Sequence, residues 1–227
     1  MKETRFGNWF QTSWIWSEYV LGPALTCLSQ SFHDSLDAPL SAPRVLDAGC
    51  GIGTAFPQIE RDLQPCEIIA VDIDPQMVRD AQAEASKISC PVQIHCGNVE
   101  KLSFSSESFD IVVCHQTLHH VNDQAAALHE LHRVLRPGGH MLIAESCRLF
   151  IHSLPVWALF RHPRGTQKSP DEYLDLIKSV GFAFSESRVT RSSPFWSHPD
   201  FGLREYLGAS LSPEREHTQV GVVARRP

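Results

Sequence analysis

Between residues 43 and 148 the chain alternates strand-like and helix-like segments, and this alternation limits the fold more than any other feature. Residues 44–48 form a short apolar strand that runs into Gly49-Cys50-Gly51-Ile52-Gly53, with a helix expected from Thr54. Residues 67–71 are a second strand ending at Asp72. Asp74 then caps a helix with Pro75 at its first position. Residues 92–95 and 109–114 are the third and fourth strands. Asn122 or Asp123 starts a helix with Leu128, Leu131 and Leu135 on one face. Arg136-Pro137-Gly138-Gly139 stops that helix and turns the chain into a fifth strand at 141–145. Each helical crossover returns the chain in the direction it left, so the strands pair in parallel and helices cover both faces of the sheet.

The flanks differ. Residues 1–42 hold Trp9, Phe10, Trp14, Trp16 and Tyr19. Leu21, Leu25, Leu28 and Phe32 then form one helical stripe, with Pro23 near its start. The Pro and Ser content of residues 37–43 reads as a linker. In residues 149–227, Ser169-Pro170-Asp171-Glu172 is a capping box, and Gly181 ends the helix it opens. Residues 182–185 and 219–224 read as strands, and an aromatic turn of helix is expected at 201–207. The expected organisation is a helical cap or lid over 1–42 and one domain over 43–227. Within that domain, 43–148 is the cofactor half and 149–227 the cover and final hairpin.

A chain of 227 residues buries about 70 % of its unfolded surface and needs no disulfides. Its seven cysteines are odd in number and contain no C-x-x-C pair, so they read as small buried hydrophobes and not as a zinc site. Twenty Lys and Arg stand against 26 Asp and Glu, a balance that argues against a broad nucleic-acid footprint. No stretch approaches the ~20 apolar residues of a membrane span. Glu18 interrupts the apolar run behind Lys2 and Arg5, which argues against a secretory signal and makes a cytoplasmic protein the default expectation.

Glycines between strand and helix let backbone N–H groups approach a ligand and permit positive φ. Three further features give this loop a ligand class. Asp72 can accept hydrogen bonds from both hydroxyls of a ribose. Asn98, in Gly97-Asn98-Val99, can read the polar edge of adenine, and Ile73 and Met77 can sandwich a flat base. Together they describe an adenosine pocket. The dinucleotide fingerprint G-x-G-x-x-G requires a third glycine where Thr54 stands, which disfavours a nicotinamide cofactor. No G-x-x-x-x-G-K-[ST] is present. Asp47 adds negative charge just before the loop, which suits a sulfonium donor carrying an ammonium group better than phosphates.

Residues 45–53, Val71-Asp72-Ile73-Asp74, Gly97-Asn98-Val99, residues 109–115 and Leu135-Arg136-Pro137-Gly138-Gly139 resemble, in this order, the motifs of class I S-adenosylmethionine-dependent methyltransferases. The resemblance is nearest to the small-molecule branch of the ubiquinone/menaquinone-biosynthesis type and covers roughly residues 43–147. It implies a Rossmann-like α/β fold: a seven-stranded, mostly parallel sheet with a final antiparallel hairpin. It implies S-adenosylmethionine as cofactor, with Gly49 and Gly51 against its methionine part, Asp72 on the ribose, Asn98 and Val99 at the adenine, and His115 on the sulfonium side. The family usually has Asp where Asn98 stands. Asn keeps an acceptor oxygen but loses the charge, so weaker binding is expected.

Methyl transfer to a nucleophile needs alignment and a dry site, and a base only where the nucleophile must lose a proton. His119 and His120, after the fourth strand, are the candidates. They either take that proton or only hydrogen-bond the loop backbone. Metal binding by His115, His119 and His120 is not expected, because the resemblance implies no metal and no carboxylate partner adjoins. Glu145 is a second polar group at the mouth, or a cap on a neighbouring helix. The acceptor expected is a small apolar or aromatic molecule, with the aromatics at both ends as a lid or as core. The Arg161-His162-Pro163-Arg164 and Lys168 cluster faces an acidic substrate or lipid, or is a solvated loop. No Asn/Asp-Pro-Pro-Tyr tetrad follows the fourth strand, which lowers a nucleic-acid substrate further. A lipid or quinone methyltransferase at a membrane surface is the second reading. A non-catalytic protein that only binds the cofactor is the reading from another class.

Overall fold

The computed structural model describes residues 4–11, 13–36, 38, 40–163, 165–198, 206–208 and 216–227. Strands β1 (Arg44–Ala48), β2 (Glu67–Asp72), β3 (Val92–Cys96), β4 (Phe109–His115), β5 (Leu135–Ser146), β6 (Val189–Ser192) and β7 (Gln219–Arg225) form one sheet. Its order is β3-β2-β1-β4-β5-β7-β6. The pairs β1–β2, β1–β4, β2–β3 and β4–β5 are parallel. Strand β7 runs antiparallel between β5 and β6. Order reverses at β1, and the carboxyl ends of β1 and β4 open there into one crevice, where open α/β sheets bind ligands.

Alternate residues of each central strand feed two cores, as a sheet covered on both faces requires. Val45, Ile68, Ile111, Val113 and Leu142 pack under helices α3 (Gly22–His33) and α4 (Phe56–Leu63). Leu46, Ile69, Val112, Met141 and Ile143 pack under α6 (Gln124–Val134) and α9 (Pro170–Ser179). Helix α5 (Pro75–Ala85) adds Ala81 to the first of these cores. The stripe Leu21, Leu25, Leu28 and Phe32 is buried on α3, so this helix is part of the layer covering the sheet. Asp74 caps α5 by accepting from Gln76 N, Asp123 caps α6, and the Ser169–Glu172 capping box is complete.

Three expectations about elements are corrected. Helix α4 starts at Phe56, because Gly53 N and Phe56 N first close turns onto Cys50 O and Gly53 O. Strand β5 begins at Leu135, because Leu135 pairs with Phe109 and the backbone of Gly138 and Gly139 bonds with Arg226. The partner of β7 is Val189–Ser192, and of residues 182–185 only Ala183 bridges, to Arg225. The aromatic turn expected at 201–207 lies largely outside the described residues. Among the described residues no helix is long and apolar enough to cross a membrane. All seven cysteines are free, and Cys50, Cys90, Cys114 and Cys147 are buried.

Two helices, α1 (Arg5–Gln11) and α2 (Trp14–Trp16), and two from the C-terminal part, α7 (Arg148–Ile151) and α8 (Leu154–Leu159), lie outside this sandwich. Phe6 and Phe10 of α1 meet Phe160 edge-on, at centroid distances of 5.8 and 5.7 Å. Thr4 Oγ1 donates to Leu159 O. Segments from both ends of the chain therefore share one cover.

Candidate active site

The glycine loop is tied to β2 by its own backbone. Gly49 N and Cys50 N donate to Val71 O at 2.8 and 3.0 Å, and Gly51 N donates to Asp72 Oδ2 at 2.9 Å. Gly49, Gly51 and Gly53 have φ of +84°, +54° and +81°. What a Cβ would meet separates their roles. At Gly49 it would overlap the Thr117 side chain, and at Gly53 the Phe56 ring, whereas at Gly51 nothing lies within 4 Å. Gly49 is thus required by packing and Gly51 borders open space that a ligand can fill. Gly51→Ala is expected to put a methyl group into that space and weaken cofactor binding about tenfold, while its positive φ costs the fold only about 1–2 kcal/mol. Gly49→Ala adds the overlap and should lower Tm further. Calorimetry on both variants checks the split.

Asp47 and Asp72 give the loop its charge. Asp47 is 2 % exposed, and its Oδ2 has no hydrogen-bond partner. Burial, then the neighbouring Asp72 carboxylate, push it up to about 7. A buried carboxylate oxygen without a donor is the counterpart of a cation. Asp72 is half-buried and accepts from Gly51 N through Oδ2 and from Asp74 N through Oδ1, each at 2.9 Å. Burial raises its pKa, and the hydrogen bonds from Asp74 and Gly51 act against that. One lone pair on each oxygen stays available for ribose hydroxyls. Beside it Ile73 is 67 % exposed, a rare position for isoleucine and the surface that a flat base would cover, and Met77 is half-buried. Asn98 is engaged in its own turn: Oδ1 accepts from Glu100 N at 2.9 Å, and Nδ2 donates to Glu100 at 3.1 Å. The side chain of Val99 belongs to the core. Cys50 is no nucleophile, because burial pushes its thiol up.

At the end of β4 the chain turns over the crevice. His115 is buried, its Nε2 has no partner, and the Trp16 ring stands edge-on at 6.3 Å. Burial, then His119, hold His115 down at about 3, so it is neutral. The next turn, Leu118–His120, hangs on one side chain of β5. Glu145 Oε1 accepts from Thr117 N and Leu118 N at 2.9 and 2.7 Å, and Oε2 lies 2.7 Å from His119 Nδ1. His119 and Glu145 are 3 % and 1 % exposed. Glu145 therefore holds both the turn and the imidazole, where sequence left its role open between site and cap. His120 is exposed, and its ring packs against those of His119 and His162. Burial of its ring, then His119 and His162, hold its pKa well below the usual range.

His162 is the residue that sequence reading placed wrongly. Its ring stacks on His120 at 4.8 Å with 16° between planes and lies 5.3 Å from His119. Burial, then His119, hold its pKa at about 3, so it adds no charge to a basic patch. Gln167 anchors this stretch by donating to His119 O and Pro163 O at 3.1 and 2.7 Å. Gln124 adds bonds to Leu118 O and Thr166 O at 2.8 and 2.9 Å. Nothing in the irregular stretch 161–168 signalled this in the sequence. Arg164 lies outside the described residues. His129 is exposed, whereas His132 packs edge-on against Phe182 at 4.9 Å.

Above the crevice the rings form a continuous wall. Trp16 meets Phe10 at 5.7 Å, Phe10 meets Phe160, and Phe160 meets His162 at 6.4 Å. The glycine loop thus lies on one side, and a run of aromatic rings ending at three neighbouring imidazoles on the other. The strand order, with the glycine cradle and an acid at the end of β2, is that of the Rossmann-like fold of S-adenosylmethionine-dependent methyltransferases. Residues 46–143 match a family described as a methyltransferase domain. The chain is 27 % identical over 193 residues to a ubiquinone biosynthesis O-methyltransferase of Xylella fastidiosa, covering 79 % of this chain and 78 % of that protein. It is 26 % identical over 155 residues to phosphoethanolamine N-methyltransferase 3 of Arabidopsis thaliana, covering 68 % of this chain but only 31 % of that longer protein. In fold it is similar to the methyltransferase solved with the Haloferax volcanii Trm112 activator. That match has a TM-score of 0.69 and 18 % identity, and covers 98 % of this chain and 96 % of that one.

Proposed function

We propose that the chain methylates a small apolar or aromatic molecule whose nucleophilic atom must lose a proton, a hydroxyl being the simplest case. The observation that carries this reading is the buried Glu145–His119 pair beside the aromatic wall. A carboxylate on Nδ1 fixes the ring and leaves Nε2 to accept a proton. When bound, S-adenosylmethionine supplies an electrophilic methyl group on a sulfonium. Asp47 would hold its ammonium, Asp72 its ribose, the Gly51 cradle its backbone side, and Ile73 and Met77 its base. Asn98 contributes an oxygen already shared with Glu100 N, and Val99 contributes backbone. Trp16, Phe10 and Phe160 would exclude water and stack a planar acceptor against the transfer line. His115, neutral and unpaired, supports the sulfonium side without repelling it. His120 is the neighbour through which a proton reaches solvent.

The test is a labelled-methyl assay on a panel of phenols, quinols and fatty acyl compounds. His119→Ala is expected to lower kcat by about 10²–10⁴ with cofactor affinity retained. Unchanged turnover across pH in that variant would remove the base role.

The cover favours a second reading for where the acceptor comes from. Trp9, Trp14, Tyr19 and Trp157 are 57, 67, 49 and 66 % exposed, on α1, α2, the turn after it, and α8. Aromatic side chains presented this way suit a lipid surface that delivers an apolar acceptor. Loss of vesicle co-sedimentation on deleting residues 1–20 would support it.

A further inference from the structure

We propose that His119, His120 and His162 form a binding site for a divalent transition ion of the zinc type. One ring nitrogen from each lies within 4.8 Å of the other two. Three imidazole nitrogens with no oxygen ligand among them select zinc, cobalt, nickel or copper over magnesium or calcium. A tetrahedral zinc ion has nitrogens at about 2.0–2.1 Å, which puts them about 3.4 Å apart. Closing from 4.8 Å takes small ring rotations, and His120 and His162, exposed and half-buried, have room to make them. Three protein ligands leave a fourth position open to water or to a substrate atom, as in reactive zinc sites.

The neighbour of His119 is the second observation. Metal-bound histidines commonly donate their other N–H to a carboxylate, which fixes tautomer and orientation. Glu145 Oε2 stands 2.7 Å from His119 Nδ1, and its other oxygen, Oε1, is held by two backbone N–H groups, so Nε2 is the nitrogen left for an ion. His162 is kept in reach from the opposite side, because Gln167 ties its stretch to the backbone of His119. Sequence discounted a metal because the family resemblance implies none and no carboxylate adjoined the histidines. The fold brings one, from 26 residues away in the chain.

The ion site shares its place with the proposed reaction and rests on that reading only for location. An ion on Nε2 of His119 occupies the lone pair that a proton would need, so ion-loaded and base-active states exclude each other. Binding is therefore measured without donor or acceptor. The tag-free full chain is stripped with a chelator and titrated with Co²⁺, followed by its visible absorption, and then competed with Zn²⁺. Expected is saturation at one equivalent with the intense bands of four- or five-coordinate cobalt, displaced by zinc. His162→Ala and His120→Ala should each weaken binding by about tenfold or more, and Glu145→Gln by about 10–100-fold. Thermal melts confirm that these variants fold. His162→Ala, on the cover and away from both cores, keeps the test open should Glu145→Gln fail to fold. Replacing the exposed Cys66 and Cys96 by Ser should change nothing. Loss of binding in that thiol variant would overturn the site. So would unaltered affinity in both histidine variants, or six-coordinate cobalt without saturation.

Discussion

Asp47→Asn is expected to stabilise the ligand-free chain while weakening donor binding about a hundredfold. Burial first, and the Asp72 charge second, hold the Asp47 carboxyl at about 7 in the folded chain, against 3.8 for an unperturbed group. The folded state therefore keeps this proton to higher pH than the unfolded state does. Its stabilising effect is complete below about pH 4 and is lost as pH rises through about 7. A difference of about three units is worth about 4 kcal/mol, so ionised Asp47 costs the empty protein stability on that order at neutral pH and above. Asparagine has no such term. Melts recorded from pH 5 to 8 should show the wild type losing Tm relative to the variant as pH rises. Binding runs the opposite way. The donor ammonium needs the ionised carboxylate, so wild-type affinity should fall as pH drops from 7 to 5.5, where an α-amino group stays protonated. The variant should be about 3 kcal/mol weaker and flat over that window. A variant with unchanged affinity would remove Asp47 from the donor site.

Glu145 is the second large effect. Glu145→Ala leaves the N–H groups of Thr117 and Leu118 and the His119 ring without their acceptor inside the protein. A loss of about 3–5 kcal/mol in stability is expected. Glu145→Gln separates fold from chemistry. Its amide oxygen must face the two backbone N–H groups, so its NH₂ faces His119 Nδ1. That arrangement makes Nδ1 an acceptor and puts the proton on Nε2, the nitrogen meant to receive one. Denaturant unfolding should show most of the stability restored, with turnover down by about 10²–10⁴. Turnover restored together with stability would leave Glu145 a purely structural anchor.

The loop we propose for the donor was legible because its signals are local. Positive φ confines three loop positions to glycine, and a carboxylate at the end of β2 is within reach of the loop only if the strands are parallel. Asp74, Pro75, Asp123 and the Ser169–Glu172 box mark helix starts with groups that satisfy free N–H donors nearby in sequence. The boundaries that failed were set by distant partners. Leu135–Gly139 is strand because Phe109 and Arg226 bond to it, and Val189–Ser192 is strand because β7 passes beside it. Asn98, expected to address a base, spends its amide on Glu100, a choice that depends on turn geometry invisible in residue order.

The amino-acid order alone determined the parallel sheet, the glycine cradle and the acids facing it, since each follows from backbone sterics and spacing within a few residues. Tertiary structure alone decided the side we propose for the acceptor. Three imidazoles, one carboxylate and a wall of rings come from α1, α2, β5, the turn after β4 and the stretch past α8, and only long-range packing of apolar side chains brings those segments together.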